Sequence, residues 1–215
     1  MNAYFLLTIV LSVVGLLVSY RLKSKFNTYS KMPLRNDMNG ADVAKAMLDH
    51  YGIHDVTVES VQGQLTDHYN PQNKTVNLSP DVYAGSSVAA AAVAAHECGH
   101  AVQHATAYPM LQLRSSLVPV VHFASITQQY IMIAAFMFFT TFPMLLWIAV
   151  GAFFITTLFS FVTLPVEFDA SNRALAWLNT SGILQNDEHE AATDALKWAA
   201  MTYVVAAISS LVMLI

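Results

Sequence analysis

Two imidazoles four residues apart with a carboxylate beside the first, His96-Glu97-Cys98-Gly99-His100, could grip a metal ion and handle a proton next to it. They close an alanine-rich run, Ser86 to Ala95, that reads as helix because Ala is the best helix former. On a helix, residues four apart share a face, so His96 and His100 can converge on one ion. Glu97 falls beside that ion rather than on it, where it can hold and deprotonate a water. Two His ligands, a carboxylate base and an open position for water are the parts of a zinc hydrolase. The neighbourhood agrees: an uncharged Ala/Val stretch is a costly place to end on polar groups without a task. Cys98 points off the metal face and reads as packing. A third ligand is still needed.

The elements that must position these groups are set by composition. The 215 residues are 55% hydrophobic and only 11% charged, against roughly a quarter charged in soluble domains. Ser115 to Val166 holds no Asp, Glu, Lys or Arg. That is room for two membrane spans of about 20 residues and a turn, which falls near Thr140-Thr141-Phe142-Pro143 because proline starts a helix better than it continues one. Ala3 to Tyr20 and Trp198 to Ile215 are two further uncharged stretches. The first is followed, not preceded, by Arg21, Lys23 and Lys25, and lacks a small-x-small cleavage site, so it reads as a retained anchor. All ten Lys and Arg fall in 21–114 and 173–197. With four spans both segments lie on one side, and the positive-inside rule makes that side the cytoplasm.

An even number of crossings must then separate the third ligand from the His pair. The chain returns at Leu164-Pro165-Val166-Glu167-Phe168-Asp169, which reads as a helix start with acidic residues in its first turns. Glu167 there could complete a His, His, Glu set. His104 continues the stripe but lies about 12 Å along the axis from His96, which suits support of a ligand from behind or contact with a substrate better than ligation. Asp169 stays open, as a ligand or as an acceptor for a ligand His. His122, inside a span, is expected to bond a neighbouring helix. Upstream, Asp42 to Tyr51 has helical spacing and Gly52 stops it. Val56 to Val58 reads as a short strand, and 65–69 with 75–79 as a hairpin. The second hairpin strand alternates polar and apolar residues as a half-buried edge strand does, where an extended peptide could pair. No phosphate-binding glycine loop or basic aromatic patch is present, so nucleic acid is not an expected partner.

Asp67-His68-Tyr69-Asn70-Pro71, Lys74 to Ser79, Val82-Tyr83, Ala94 to Ala105 and Val166-Glu167-Phe168-Asp169-Ala170-Ser171 occur in the order that resembles the YugP-like neutral zinc metallopeptidases of bacterial membranes. The resemblance covers almost the whole chain. It implies a zinc-dependent endopeptidase with His96, His100 and Glu167 as ligands and Glu97 as base. A more distant similarity is to the HtpX and CAAX prenyl proteases, which place an Asp four residues after the ligand Glu; Ser171 stands there in this chain. The expected architecture is a mainly α membrane protein, four transmembrane helices with a small α+β zincin-like cytoplasmic metallopeptidase domain. Its parts would be an anchor (1–20), the zincin-like domain (21–116), two transmembrane helices (117–163), a helical segment with the third ligand (164–197) and a last span (198–215). The expected setting is the bacterial cell membrane, multi-pass, with Zn2+ as cofactor and membrane-associated proteins or peptides as substrates. A homo-oligomer or an adaptor is left open. His104, Tyr108 and Asn172 are candidates for steadying the oxyanion. The alternative from another class is a non-catalytic membrane metalloprotein acting as scaffold or assembly partner.

Overall fold

The computed structural model describes residues 3–138 and 140–215, and it is mainly helical with one small sheet. Four helices are long and apolar enough to cross a membrane: α1 (Ala3–Tyr29), α5 (Pro109–Met137), α6 (Met144–Thr180) and α7 (Asn186–Leu214). They take in the uncharged stretches and run past them into the charged segments, and α5 and α6 meet at the turn before Pro143. Many of their outward side chains are apolar and uncovered, as lipid requires: Phe123, Phe136 and Trp147 are among the exposed residues.

Between α1 and α5 lies the α+β unit: α2 (Gly40–His50), β1 (Thr57–Ser60), β2 (His68–Asn70), β3 (Thr75–Leu78), α3 (Pro80–Tyr83) and α4 (Val88–Ala105). Asn39 caps α2 by accepting from the Asp42 N–H, and Gly52 adopts φ +66° just past its end. Ser87 caps α4 in the same way, accepting from Ala90 N–H. The hairpin forms, with β2 antiparallel to β3, but its first strand begins at His68 rather than Leu65 and takes in Asn70. The predicted edge strand, however, is the middle one. The sheet order is β1-β3-β2, β1 pairs parallel with β3, and all four β3 residues are buried. β2 is the edge strand that adjoins the metal helix.

α4 is the centre of the unit. Its small side chains are buried on almost every side, which lets α2 pack on one flank and α6 and α7 on others. Cys98 belongs to that core; its thiol donates to Ala44 O of α2, and burial pushes its pKa well above the ordinary value, so it stays neutral and off the metal face. A second difference lies in α6. Rather than starting a new helix, Pro165 sits inside an unbroken helix of 37 residues. Proline in a helix interior removes one backbone bond, a loss that is tolerated where neighbouring helices pack against the segment. Glu167 is therefore carried on the middle of a long helix, not on a first turn.

Candidate metal centre

α4 presents His96 and His100 one turn apart, with ring centroids 4.8 Å from each other and planes at 81°. α6 brings Glu167 to them across a very close helix crossing. At that crossing Gly99 faces the backbone of Ala170, and a Cβ on Gly99 would stand 2.5 Å from the Ala170 carbonyl oxygen. Only glycine fits, so the residue between the imidazoles sets how near the carboxylate can come.

Glu167 is 2% exposed, and its two carboxylate oxygens have different surroundings. Oε1 lies 3.3 Å from Arg114 Nη1 at the start of α5. Oε2 has no hydrogen-bond partner and points between the imidazoles, 3.4 Å from His96 Nε2 and 3.6 Å from His100 Nε2. A buried, orphaned carboxylate oxygen is costly. Tetrahedral ligands about 2.0–2.2 Å from zinc stand roughly 3.3–3.6 Å from one another, which is the spacing seen from Oε2 to each Nε2. One ligand atom from each residue lies within 4.8 Å of the others, and this is the cluster suited to a metal among the described residues. The donor set thus fits zinc. The same crowding acts on protons: burial lowers the His100 pKa, but the Glu167 and Glu97 carboxylates outweigh burial and leave it raised.

Each ligand imidazole is held from behind. Gln103, fully buried, donates through Nε2 to Val166 O (2.7 Å) and to Asp169 Oδ2 (2.8 Å). Its Oε1 is thereby turned to accept from His100 Nδ1 (3.0 Å). Arg173 Nε donates to the same Asp169 oxygen at 2.6 Å. A chain Arg173–Asp169–Gln103–His100 therefore keeps the proton on Nδ1 and leaves the Nε2 lone pair free for a cation. For His96 the corresponding partner is Ser171, with Oγ 3.1 Å from Nδ1. Asp169 thus reaches His100 through Gln103 rather than directly, and Ser171 is the partner of His96. Gln103 escaped the sequence reading; its one signal was a polar residue three positions after His100, on the same helix face.

Glu97 is buried beside the pair, and its Oε2 accepts from the Tyr69 backbone N–H at 2.9 Å. That N–H therefore points away from β3, and β2 is tied to α4 through the carboxylate. Two turns along, His104 Nδ1 meets the Tyr69 hydroxyl at 2.7 Å. Burial, then the Asp55 charge, push the Tyr69 pKa up to about 12, so its hydroxyl stays protonated and donates. His104 is thus an anchor for the edge strand. Tyr108 lies under the Arg173 guanidinium, and Asn172 is exposed. None of His104, Tyr108 and Asn172 lines the cleft; Arg114 and Tyr203 do. The cleft measures about 480 Å³ and opens between β2, α4, α5, α6 and α7. A larger cavity of about 920 Å³ between α1 and the start of α4 contains none of these groups.

A family model described as "Putative neutral zinc metallopeptidase" matches residues 4–215. A curated relative, "Putative membrane protease YugP" of Bacillus subtilis (strain 168), is 38% identical over 208 residues, spanning 97% of this chain and 92% of its own length. No solved structure matches.

Proposed function

The chain belongs to the neutral zinc metallopeptidase family, and from that premise we propose that it is a membrane-embedded zinc endopeptidase that hydrolyses peptide bonds in membrane or membrane-proximal proteins. His96, His100 and Glu167 would hold the ion. When bound, zinc supplies Lewis acidity, polarising a carbonyl oxygen and bringing the pKa of a water down toward neutrality. The observation that carries this reading is Glu167 Oε2, buried, unpartnered and aimed between two imidazole Nε2 atoms.

The remaining roles belong to this chain's own groups. Glu97 is the base: the Tyr69 N–H fixes Oε2, which leaves Oε1 to take a proton from water and return it to the leaving amine. Tyr69 links that base to the edge strand. A peptide laid along the outer side of β2 would pair with outward main-chain groups other than the Tyr69 N–H, beside Glu97. Arg114 and the Tyr203 hydroxyl, which line the cleft, are the groups placed to meet a developing oxyanion.

We read the α2–β1–β2–β3–α4 unit as a zincin-like domain on the cytoplasmic side. The support is the gathering of all Lys and Arg on one side of the four spans. Zinc near that surface suits flexible juxtamembrane segments, such as those of damaged membrane proteins awaiting quality control. The test is a pair of variants in detergent-purified protein. Glu97→Ala abolishes cleavage of an unfolded substrate while zinc content stays at that of wild type; Glu167→Ala loses the zinc as well. Full cleavage by zinc-replete Glu97→Ala protein rejects the role of Glu97. A wild type that holds zinc and cleaves nothing favours the scaffold.

A further inference from the structure

On α5 one face is shared by the cleft and the bilayer. Leu111, Arg114, Ser115 and Val118 line the metal cleft. Continuing at alternating spacings of four and three residues from Val118, the same face presents His122, Ser125, Gln129, Met132 and Phe136. All five are exposed, whereas Ala124 and Ala135, on another side of the helix, are buried. The contrast with Thr127 is direct. Its hydroxyl bonds back to Phe123 O at 2.8 Å, but the side chains of His122, Ser125 and Gln129 find no hydrogen-bond partner among the described residues. A shallow hollow of about 450 Å³, lined by Ser125, Gln128, Gln129, Met132 and Ile133, marks the middle of the stripe. His122 is expected to bond a neighbouring helix; among the described residues none offers it a partner.

From Val118 to Gln129 the stripe descends about 16 Å into the bilayer. Lipid offers nothing to an imidazole, a hydroxyl and a primary amide, so neutral polar groups at that depth call for a partner that can donate and accept. The spacing is that of a helix–helix seam. We infer that this stripe is a docking track for the transmembrane helix of a substrate, specifically one that carries a hydrogen-bonding side chain such as Asn or Gln within its apolar stretch. The occupant follows from continuity. A helix seated on His122, Ser125 and Gln129 is aimed at Ser115 and Val118, so the chain leaving its end enters the cleft beside Glu97. A span with an unpaired polar side chain is also what an unassembled membrane protein exposes. The inference rests on the peptidase reading above and names the substrate class for the same site.

The experiment uses zinc-loaded full-length protein in lipid vesicles. Three substrates share one cleavable segment: a single span with Asn at its centre, the same span with Leu there, and the segment alone as a soluble peptide. Wild type is expected to cleave the Asn span about tenfold more efficiently in kcat/KM than the Leu span, as one interhelical hydrogen bond in lipid allows. His122→Leu/Ser125→Ala/Gln129→Leu protein loses that preference, with zinc content and soluble-peptide cleavage as in wild type. Gln129→Leu alone gives a smaller loss and serves if the triple variant does not fold. A photo-crosslinker at position 129 of Glu97→Ala protein captures the Asn span. Equal cleavage of both spans by wild type overturns the inference, as does a crosslink to a second copy of this chain instead of the substrate. If zinc-loaded wild type cleaves none of the three, the peptidase reading falls and this inference with it.

Discussion

One helix, α6, passes through two environments. Near its start Trp147, Val150 and Phe154 are 73%, 41% and 54% exposed, and a Cβ on Gly151 would meet nothing within 4 Å. Three turns and more further on, Val166, Ala170 and Ala174 are wholly buried, and the facing Gly99 leaves no room for even a methyl group. The first stretch answers to lipid, which asks only for apolar character and an intact helix. The second answers to the metal centre, where a carboxylate must stand within a few tenths of an ångström of its place between two imidazoles. Tolerance to substitution should change along a single helix for that reason.

The largest expected effect uses the two glycines against each other. Gly99→Ala drives a methyl group into the Ala170 backbone, which cannot yield as a side chain could. We expect a loss of about 3 kcal/mol, together with loss of zinc as α4 and α6 part. Gly151→Ala fills open space and changes stability by no more than about 1 kcal/mol, toward greater stability because alanine favours helix. Thermal unfolding and zinc content after purification measure both. A zinc-replete Gly99→Ala protein with an unshifted melting point would erase the comparison.

Gln103 sharpens the same contrast. Gln103→Leu removes the side-chain donor to Val166 O, leaves Asp169 with Arg173 alone and frees the His100 ring to turn. The expected result is a 10–100-fold weaker zinc affinity, read by competition with a chelator, and a stability cost of about 1–3 kcal/mol. Ser171→Ala, which removes a single contact at His96 Nδ1, gives the smaller loss. If zinc affinity in Gln103→Leu matches wild type, His100 is oriented by packing alone.

What could be read in advance follows the range of the interactions. His96 and His100 were legible because four residues of helix suffice to bring them together, and the spans because lipid imposes its composition on every turn. Glu167 was found by counting crossings, a topological constraint that survives without coordinates. Its local setting was not. The reading of Pro165 as a helix start follows from the cost of proline in isolated helices, and here packing of α6 against α4 and α7 carries the helix through. The sheet order was hidden for a related reason. β3 alternates polar and apolar residues like an edge strand, yet Thr75 and Asn77 are buried with their side chains bonded to each other, and β1 arrives from a distant stretch to cover the other side. Gly99 carried no signal of its own, because its task is to leave room for the Ala170 backbone at a crossing that no local pattern announces.

The smallest effect lies at the exposed end of the hairpin, away from both environments. Lys74, just before β3, donates to the Asp55 carboxylate, and that contact holds the Asp55 pKa below the usual carboxylate range. A depressed folded-state pKa contributes stability above the unfolded value, about 3.9, and the contribution is lost as pH falls through the lower folded value. Both groups are well exposed, so salt screens them and the contribution is small. The gap in melting temperature between wild type and Lys74→Ala should therefore be present at neutral pH, shrink on acidification below pH about 4, and shrink again in about 1 M salt. Chelated samples keep metal loss out of that comparison. A gap that ignores both acid and salt would mean that Lys74 acts through the backbone of the turn, where it holds φ +55°, and not through its charge.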